Sequence, residues 1–183
     1  MQVIKTVANI NFPFEWVNLN YYPESDAKKI EIYLADDVEP TAGMAKMFDT
    51  LFGYMKYEIS VYSKSWWNFC LDTWNVHTDL HNYALTDKSI ETQRYLTILK
   101  ECEMPHEYSG VCEVRNWKKF LSTILPCVTS KIATYSPIFF SEKHELFFYF
   151  HHTGSIGLYY RYDNNEITDL LKIAETKYDV MYN

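Results

Sequence analysis

Glycine and proline are scarce, with 5 and 6 copies in 183 residues. No Gly/Ser or Pro-rich linker divides the chain, and no repeat or low-complexity stretch appears, so the sequence reads as one domain. Long apolar runs are missing too. The longest, Leu146 to Phe150, has the length of a strand and falls far short of the ~20 residues that span a bilayer. The first residues, Met1-Gln-Val-Ile-Lys-Thr, lack a basic head, an apolar block and a small-residue cleavage site. The expectation is a cytoplasmic protein.

Cysteine is present but not in a pattern. Cys70, Cys102, Cys112 and Cys127 include no C-x-x-C pair, which zinc ribbons and dithiol redox motifs require. Cys70, Cys102 and Cys127 sit among apolar neighbours, where a thiol is inert. Positive charge is also short. Asp and Glu number 24 against 17 Lys and Arg, a net charge of −7. A net anion without a long basic stripe repels nucleic acid. The basic knot of Arg115, Lys118 and Lys119 reads as a solvated helix face.

Aromatic residues are abundant, at 17% of the chain. With that apolar load a chain of this length has a sizeable core. Residues 1–23 carry Pro13, Pro23 and several Asn, and read as irregular or extended chain around Phe12, Phe14, Trp16 and Tyr21. Ile30, Ile32 and Leu34 alternate with Glu31 and Tyr33, the period of a half-buried strand. Pro40 suits a first helical turn, and Met44, Met47, Phe48, Leu51, Phe52 and Met55 follow at amphipathic spacing. Tyr57, Ile59 and Val61 predict a second strand. Ser65 to Leu85 has no clean period, so whether Trp66 and Trp67 are core or surface stays open. Ser89 and Asn116 are placed to cap two helices, with Tyr95, Ile98, Leu99 and Cys102 inward on the first and Trp117, Phe120, Leu121, Ile124 and Leu125 on the second.

The last third predicts strands over Pro137–Ser141, Leu146–His151 and Ile156–Tyr162, with Gly154 in a tight turn. Two of these are apolar on both faces and so belong mid-sheet beneath helices. A final helix follows Asp163–Asn165. Strands pair locally rather than alternate with helices, so the expected fold class is α+β, a single domain with a mainly antiparallel sheet covered by several amphipathic helices.

Candidate chemistry is thin. His77-Thr-Asp-Leu-His81 would present two imidazoles at i, i+4 if helical, and with Asp79 could hold a divalent metal for a hydrolase. Thr78 stands where a zinc protease has its Glu. His151 and His152 are neighbours on a strand and point to opposite faces, which does not suit one ion. Thr153-Gly-Ser-Ile-Gly157 leads into a strand rather than a helix, unlike a phosphate loop.

Two acidic runs remain. Glu24 to Glu39 holds six carboxylates and two lysines, and Glu101 to Glu113 holds four carboxylates with no Lys or Arg. Such runs serve solubility, or else form with exposed Tyr and Trp a surface for a basic partner. On the second reading the contacts are Asp36, Asp37 and Glu39 in one patch and Glu101, Glu103, Glu107 and Tyr108 in the other.

Asn116-Trp-Lys-Lys-Phe-Leu121, then Leu146-Phe-Phe-Tyr-Phe-His-His-Thr-Gly-Ser-Ile-Gly-Leu-Tyr-Tyr160, then a closing amphipathic helix resemble some immunity proteins of bacterial polymorphic and contact-dependent growth-inhibition toxin systems. The resemblance covers roughly the last 70 residues. It carries over no functional residue. It implies stoichiometric binding of one cognate toxin domain, often a basic nuclease, without turnover; separately, the residues lead to the expectation of no cofactor and no membrane. Two other functions fit the composition: the metal-dependent hydrolase built on His77, Asp79 and His81, and an acidic anti-defence decoy from a mobile element.

Overall fold

The computed structural model describes residues 2–7, 11–19 and 24–183. In chain order the elements are β1 (Ile4–Thr6), β2 (Val17–Asn18), β3 (Glu24–Ser25), β4 (Lys28–Tyr33), α1 (Pro40–Phe52), β5 (Ser60–Ser63), β6 (Trp74–Asn75), β7 (Leu80–His81), α2 (Ile90–Glu101), β8 (Gly110–Val114), α3 (Trp117–Thr129), β9 (Ile138–Ser141), β10 (Leu146–His151), β11 (Ser155–Tyr160), α4 (Asn165–Lys177) and β12 (Asp179–Tyr182). Eight strands form one sheet in the order β1-β8-β5-β9-β10-β11-β4-β12. Every pairing in it is antiparallel. The chain is a single α+β domain, as its strand and helix pattern predicts.

The topology explains why α1 lies where it does. Strands β4 and β5 are consecutive but stand four places apart in the sheet. Their connection must cross β9, β10 and β11, and α1 is that crossing. Its inward stripe of Met44, Met47, Phe48, Leu51 and Phe52 is fully buried. Phe52 stacks on Phe148 of β10 with ring centroids 3.9 Å apart and planes at 4°. Helix α3 packs beside α1, with Trp117 stacked on Phe48 at 4.9 Å. Ser89, Asn116 and Asn164 cap α2, α3 and α4 by accepting the N–H of Thr92, Lys119 and Ile167.

Strands β10 and β11 sit mid-sheet and are apolar on both faces, as expected, but helices cover only one of them. On the other face Phe140, Phe147 and Tyr159 pack under Phe12, Phe14, Trp16 and Val17. Phe12 and Phe14 meet edge to face at 5.4 Å, and Phe14 stacks on Trp16 at 4.8 Å. An extended segment this rich in aromatics supplies the area that a second helical layer otherwise would. The N-terminal stretch expected to be irregular also contributes the edge strand β1, paired with β8. Pro23 and Tyr21 lie outside the described residues.

Three further departures have local causes. Residues Lys56–Glu58 form a 3-10 turn, so β5 starts at Ser60 rather than at Tyr57. That turn brings the Glu58 carboxylate to Lys143 at 2.5 Å and to the buried His144 at 2.6 Å. Trp66 and Trp67 are core: the Trp66 indole N–H donates to the Gly110 carbonyl, and the Tyr95 hydroxyl donates to the Trp66 carbonyl. All four cysteines are buried and unbridged. Contact with Cys70, together with burial, pushes the Cys127 thiol far up, and burial does the same to Cys112.

Candidate interaction surface

Between β5 and α2 the chain leaves the sheet. Trp66, Trp67 and Cys70 anchor the base of this excursion in the core, and then it turns outward as the β6–β7 hairpin. Leu71, Trp74, Val76 and Leu80 on it are 56%, 46%, 65% and 66% exposed. Leu85 and Ile90 follow. These six are half of the twelve large hydrophobic side chains that are exposed among the described residues, all within 20 residues of sequence. Trp74 pairs with His81 and Leu80 with Asn75, so the hairpin displays Trp74 on one face and Leu80 on the other. A segment that exposes this much apolar side chain is the candidate contact region of the chain.

Polar bonds hold the hairpin in place. Asp79 takes the left-handed conformation at φ 55°, and its N–H donates to the Asn75 carbonyl. The Asn75 side-chain oxygen accepts from the N–H of His77. The Trp74 indole N–H donates to the Asp79 carboxylate at 3.0 Å. Thr73 donates to the Cys70 carbonyl and meets the His81 Nδ1. At the hairpin base the Asp72 carboxylate accepts from the Ser89 N–H, the Ser89 hydroxyl and the Thr92 hydroxyl, which ties it to the start of α2. Side chains displayed on a braced scaffold lose little further freedom on binding.

From Leu85 and Ile90 the surface continues along a groove of about 540 Å³ between α2 and α3, past Ile98 to Glu101 and Lys119. The groove carries one carboxylate, Glu101, against the two cations Arg94 and Lys119, and the rest of that acidic run lies beyond it. Within that run, Glu101 pairs with Lys119 at 3.3 Å, while Glu103 (φ 53°) and Glu107 are exposed in the turns after α2. Tyr108 is half-buried, and its hydroxyl is engaged within the fold. Its hydroxyl donates to the carbonyls of Val7 and Val111 and accepts from the Val7 N–H, so it latches β1 onto β8.

The other patch lies elsewhere. Asp36 and Asp37 are exposed in the turn before α1. Glu39 is exposed but occupied: its carboxylate caps α1, accepting from Ala42 at 2.6 Å and Thr41 at 3.0 Å. Thr41 meets Thr129 at the C-terminal end of α3, whereas Glu101 meets Lys119 at the N-terminal end. The two patches are thus separated by most of α3, about 15 Å at 1.5 Å per residue.

The Ala42 and Thr41 N–H groups hold the Glu39 carboxyl below its ordinary value of 4.5. A depressed folded value means that the stabilisation is complete above about pH 4.5 and is lost as pH falls through the lower, folded value. Glu39→Gln is expected to lower the melting temperature at pH 7, with the difference from wild type shrinking in acid. Thermal melts across pH 2–7 check this, and a pH-independent difference would refute it.

His77, Asp79 and His81 are not on a helix, so the shared face on which chelation depends is not formed. They lie on the turn and return strand of the hairpin, with Asp79 engaged by Trp74 and His81 by Thr73. Among the described residues no group of three or more His, Cys, Asp or Glu is placed to hold a metal ion. No described helix is long and apolar enough to cross a membrane. The sequence reading missed Val76 and Leu80 as surface residues. The available signal was the missing periodicity of Ser65–Leu85, which a segment lying along a core face would not show. Compared with protein-family models, curated proteins and solved structures, the chain matches none.

Proposed function

We propose that this protein is an inhibitor of another protein: a cytoplasmic immunity protein that binds a cognate bacterial toxin domain, probed first as a basic nuclease, and covers its active site. The observation that carries this reading is the braced hairpin that leaves Leu71, Trp74, Val76 and Leu80 exposed, with the carboxylates of Glu103 and Glu107 exposed in the turns after α2. Apolar and aromatic anchors supply affinity on burial, and acidic neighbours orient a basic partner. An interface of about 1,600 Å² needs few such anchors. The net charge of −7 favours the encounter with a cationic domain.

Purifying the tagged protein from its native cells tests the proposal. A basic protein recovered at one-to-one ratio, whose toxicity co-expression abolishes, is the expected result. A preparation with no partner and no effect on any toxin encoded beside it overturns the reading.

Once the partner is in hand, Asp36→Lys/Asp37→Lys measures what the distant patch adds. Both residues are exposed, so folding is unaffected. Association at low salt is expected to slow about tenfold, with the difference vanishing at high salt. Unchanged association at low salt would remove that patch from the contact.

A further inference from the structure

The sheet has two edges, and they are protected differently. On β1 the central residue, Lys5, is exposed, and a lysine on an edge opposes pairing with another chain. On β12 the sequence is Asp179-Val-Met-Tyr182, with no lysine and no proline, and its register with β4 runs without a bulge. Met181 and Tyr182 are more than half exposed. Among the described residues no strand lies on the outer side of β12.

Two hydrogen bonds fix which backbone groups point outward. The Leu34 N–H donates to Gly154 in the turn before β11, and the Asn183 N–H donates to Lys29 of β4. Residues opposite one another in an antiparallel ladder exchange both groups or neither, in alternation. Even-numbered residues of β4 therefore face β11, and odd-numbered ones face β12. In the β12 register, Asp179, Met181 and Asn183 turn their N–H and C=O toward β4. Val180 and Tyr182 turn theirs away from the sheet.

We infer that the outer edge of β12 pairs antiparallel with β12 of a second copy of this chain, about a twofold axis through Met181. A twofold axis normal to the sheet keeps each face continuous, so opposite residues must share a face. Centred on Met181, this pairing sets Val180 against Tyr182 of the second copy. Both outward-facing residues are used, each exchanging its N–H and C=O. Asp179 falls opposite Asn183, whose side chain is uncharged. The register one residue earlier, centred on Val180, would place Tyr182 against Tyr178, whose N–H already donates to Ala174. One strand pair with its flanking side chains buries less than the ~1,200 Å² of a permanent interface. The association is therefore reversible, with a dissociation constant on the order of micromolar. This pairing is independent of the proposed function.

Sedimentation equilibrium of the full chain is expected to show a concentration-dependent monomer–dimer equilibrium. Met181→Lys and Met181→Glu each place like charges face to face on the axis and should weaken dimerisation at least tenfold. An equimolar mixture of the two should restore it, since Lys then opposes Glu. Met181 is exposed, and an unchanged melt confirms that each variant folds. Amide exchange of the wild type reads the same pairing without substitution. The Val180 and Tyr182 amides should gain protection as concentration rises, while those of Asp179 and Met181 stay constant. A wild-type chain that stays monomeric to about 200 µM, far above the expected micromolar constant, overturns the inference. So does a dimer indifferent to both charges, or concentration-independent exchange at Val180 and Tyr182.

Discussion

Phe48→Ala is expected to cost about 3–5 kcal/mol of stability, the range for deleting a buried phenylalanine ring. Phe48 is fully buried on α1 and stands between the helical layer and the sheet. It stacks on Trp117 of α3 at 4.9 Å and packs against Phe139, Phe148 and Phe150 at 6.2, 6.2 and 6.5 Å. Its neighbours are themselves fixed by stacking, as in the Phe139–Phe148 pair at 5.0 Å and 14°. They cannot collapse into the space, so the cavity term adds in full to the lost transfer energy. Against a typical total of about 5–15 kcal/mol this is a large fraction, equivalent to a fall of about 10–15 °C in melting temperature. Urea unfolding of the purified variant measures it, with an unchanged slope showing that the folded state alone was affected. A loss below about 1 kcal/mol would mean that the layers repack, and that the aromatic stack is not what joins α1 and α3 to the sheet.

Trp74→Ala is expected to weaken partner binding by about 2–4 kcal/mol, roughly 30- to 1000-fold, while barely moving the melting temperature. The indole is 46% exposed in the free protein, so truncation opens no cavity in the core. It is braced by its bond to Asp79, so it reaches an interface already ordered. Tryptophan carries the largest area of any side chain at such positions. Calorimetric titration of the variant against the captured partner decides the matter. Binding within threefold of wild type, with Leu80→Ala equally silent, would place the contact away from the hairpin. Tyr57→Ala is the control, because Tyr57 is 89% exposed and lies outside the hairpin surface.

Local physics acts over a few residues, and the elements that depend on it alone are legible in the sequence. The α1 stripe from Met44 to Phe52 follows from a period of 3.6 and a proline at the first turn. Ser89, Asn116 and Asn164 announce helix starts because their short polar side chains satisfy the first free N–H groups. Gly154, at φ 82°, sits in the turn where positive φ is needed. Periodicity along one segment can indicate that a face is covered. It cannot identify the cover, and so nothing in the sequence marks the aromatic segment Phe12–Trp16 as the second layer on β10 and β11.

The candidate site was less legible for a related reason. Glu39, Asp36 and Asp37 are equivalent as carboxylates in a sequence, but only Glu39 lies where the amides of Thr41 and Ala42 converge. Tyr108 reads as an interface tyrosine among acidic residues until β1 and β8 come together around its hydroxyl. Fold class, helix positions, the caps at Ser89, Asn116 and Asn164, and net charge belong to the sequence by itself, because propensity, capping and hydrophobic period act over a few residues. Strand order, the splitting of the acidic runs onto opposite ends of α3, and the outward display of Trp74, Val76 and Leu80 were decided only by the tertiary structure. Each depends on pairings between residues far apart in the chain, whose energies exist only once the chain has folded around them.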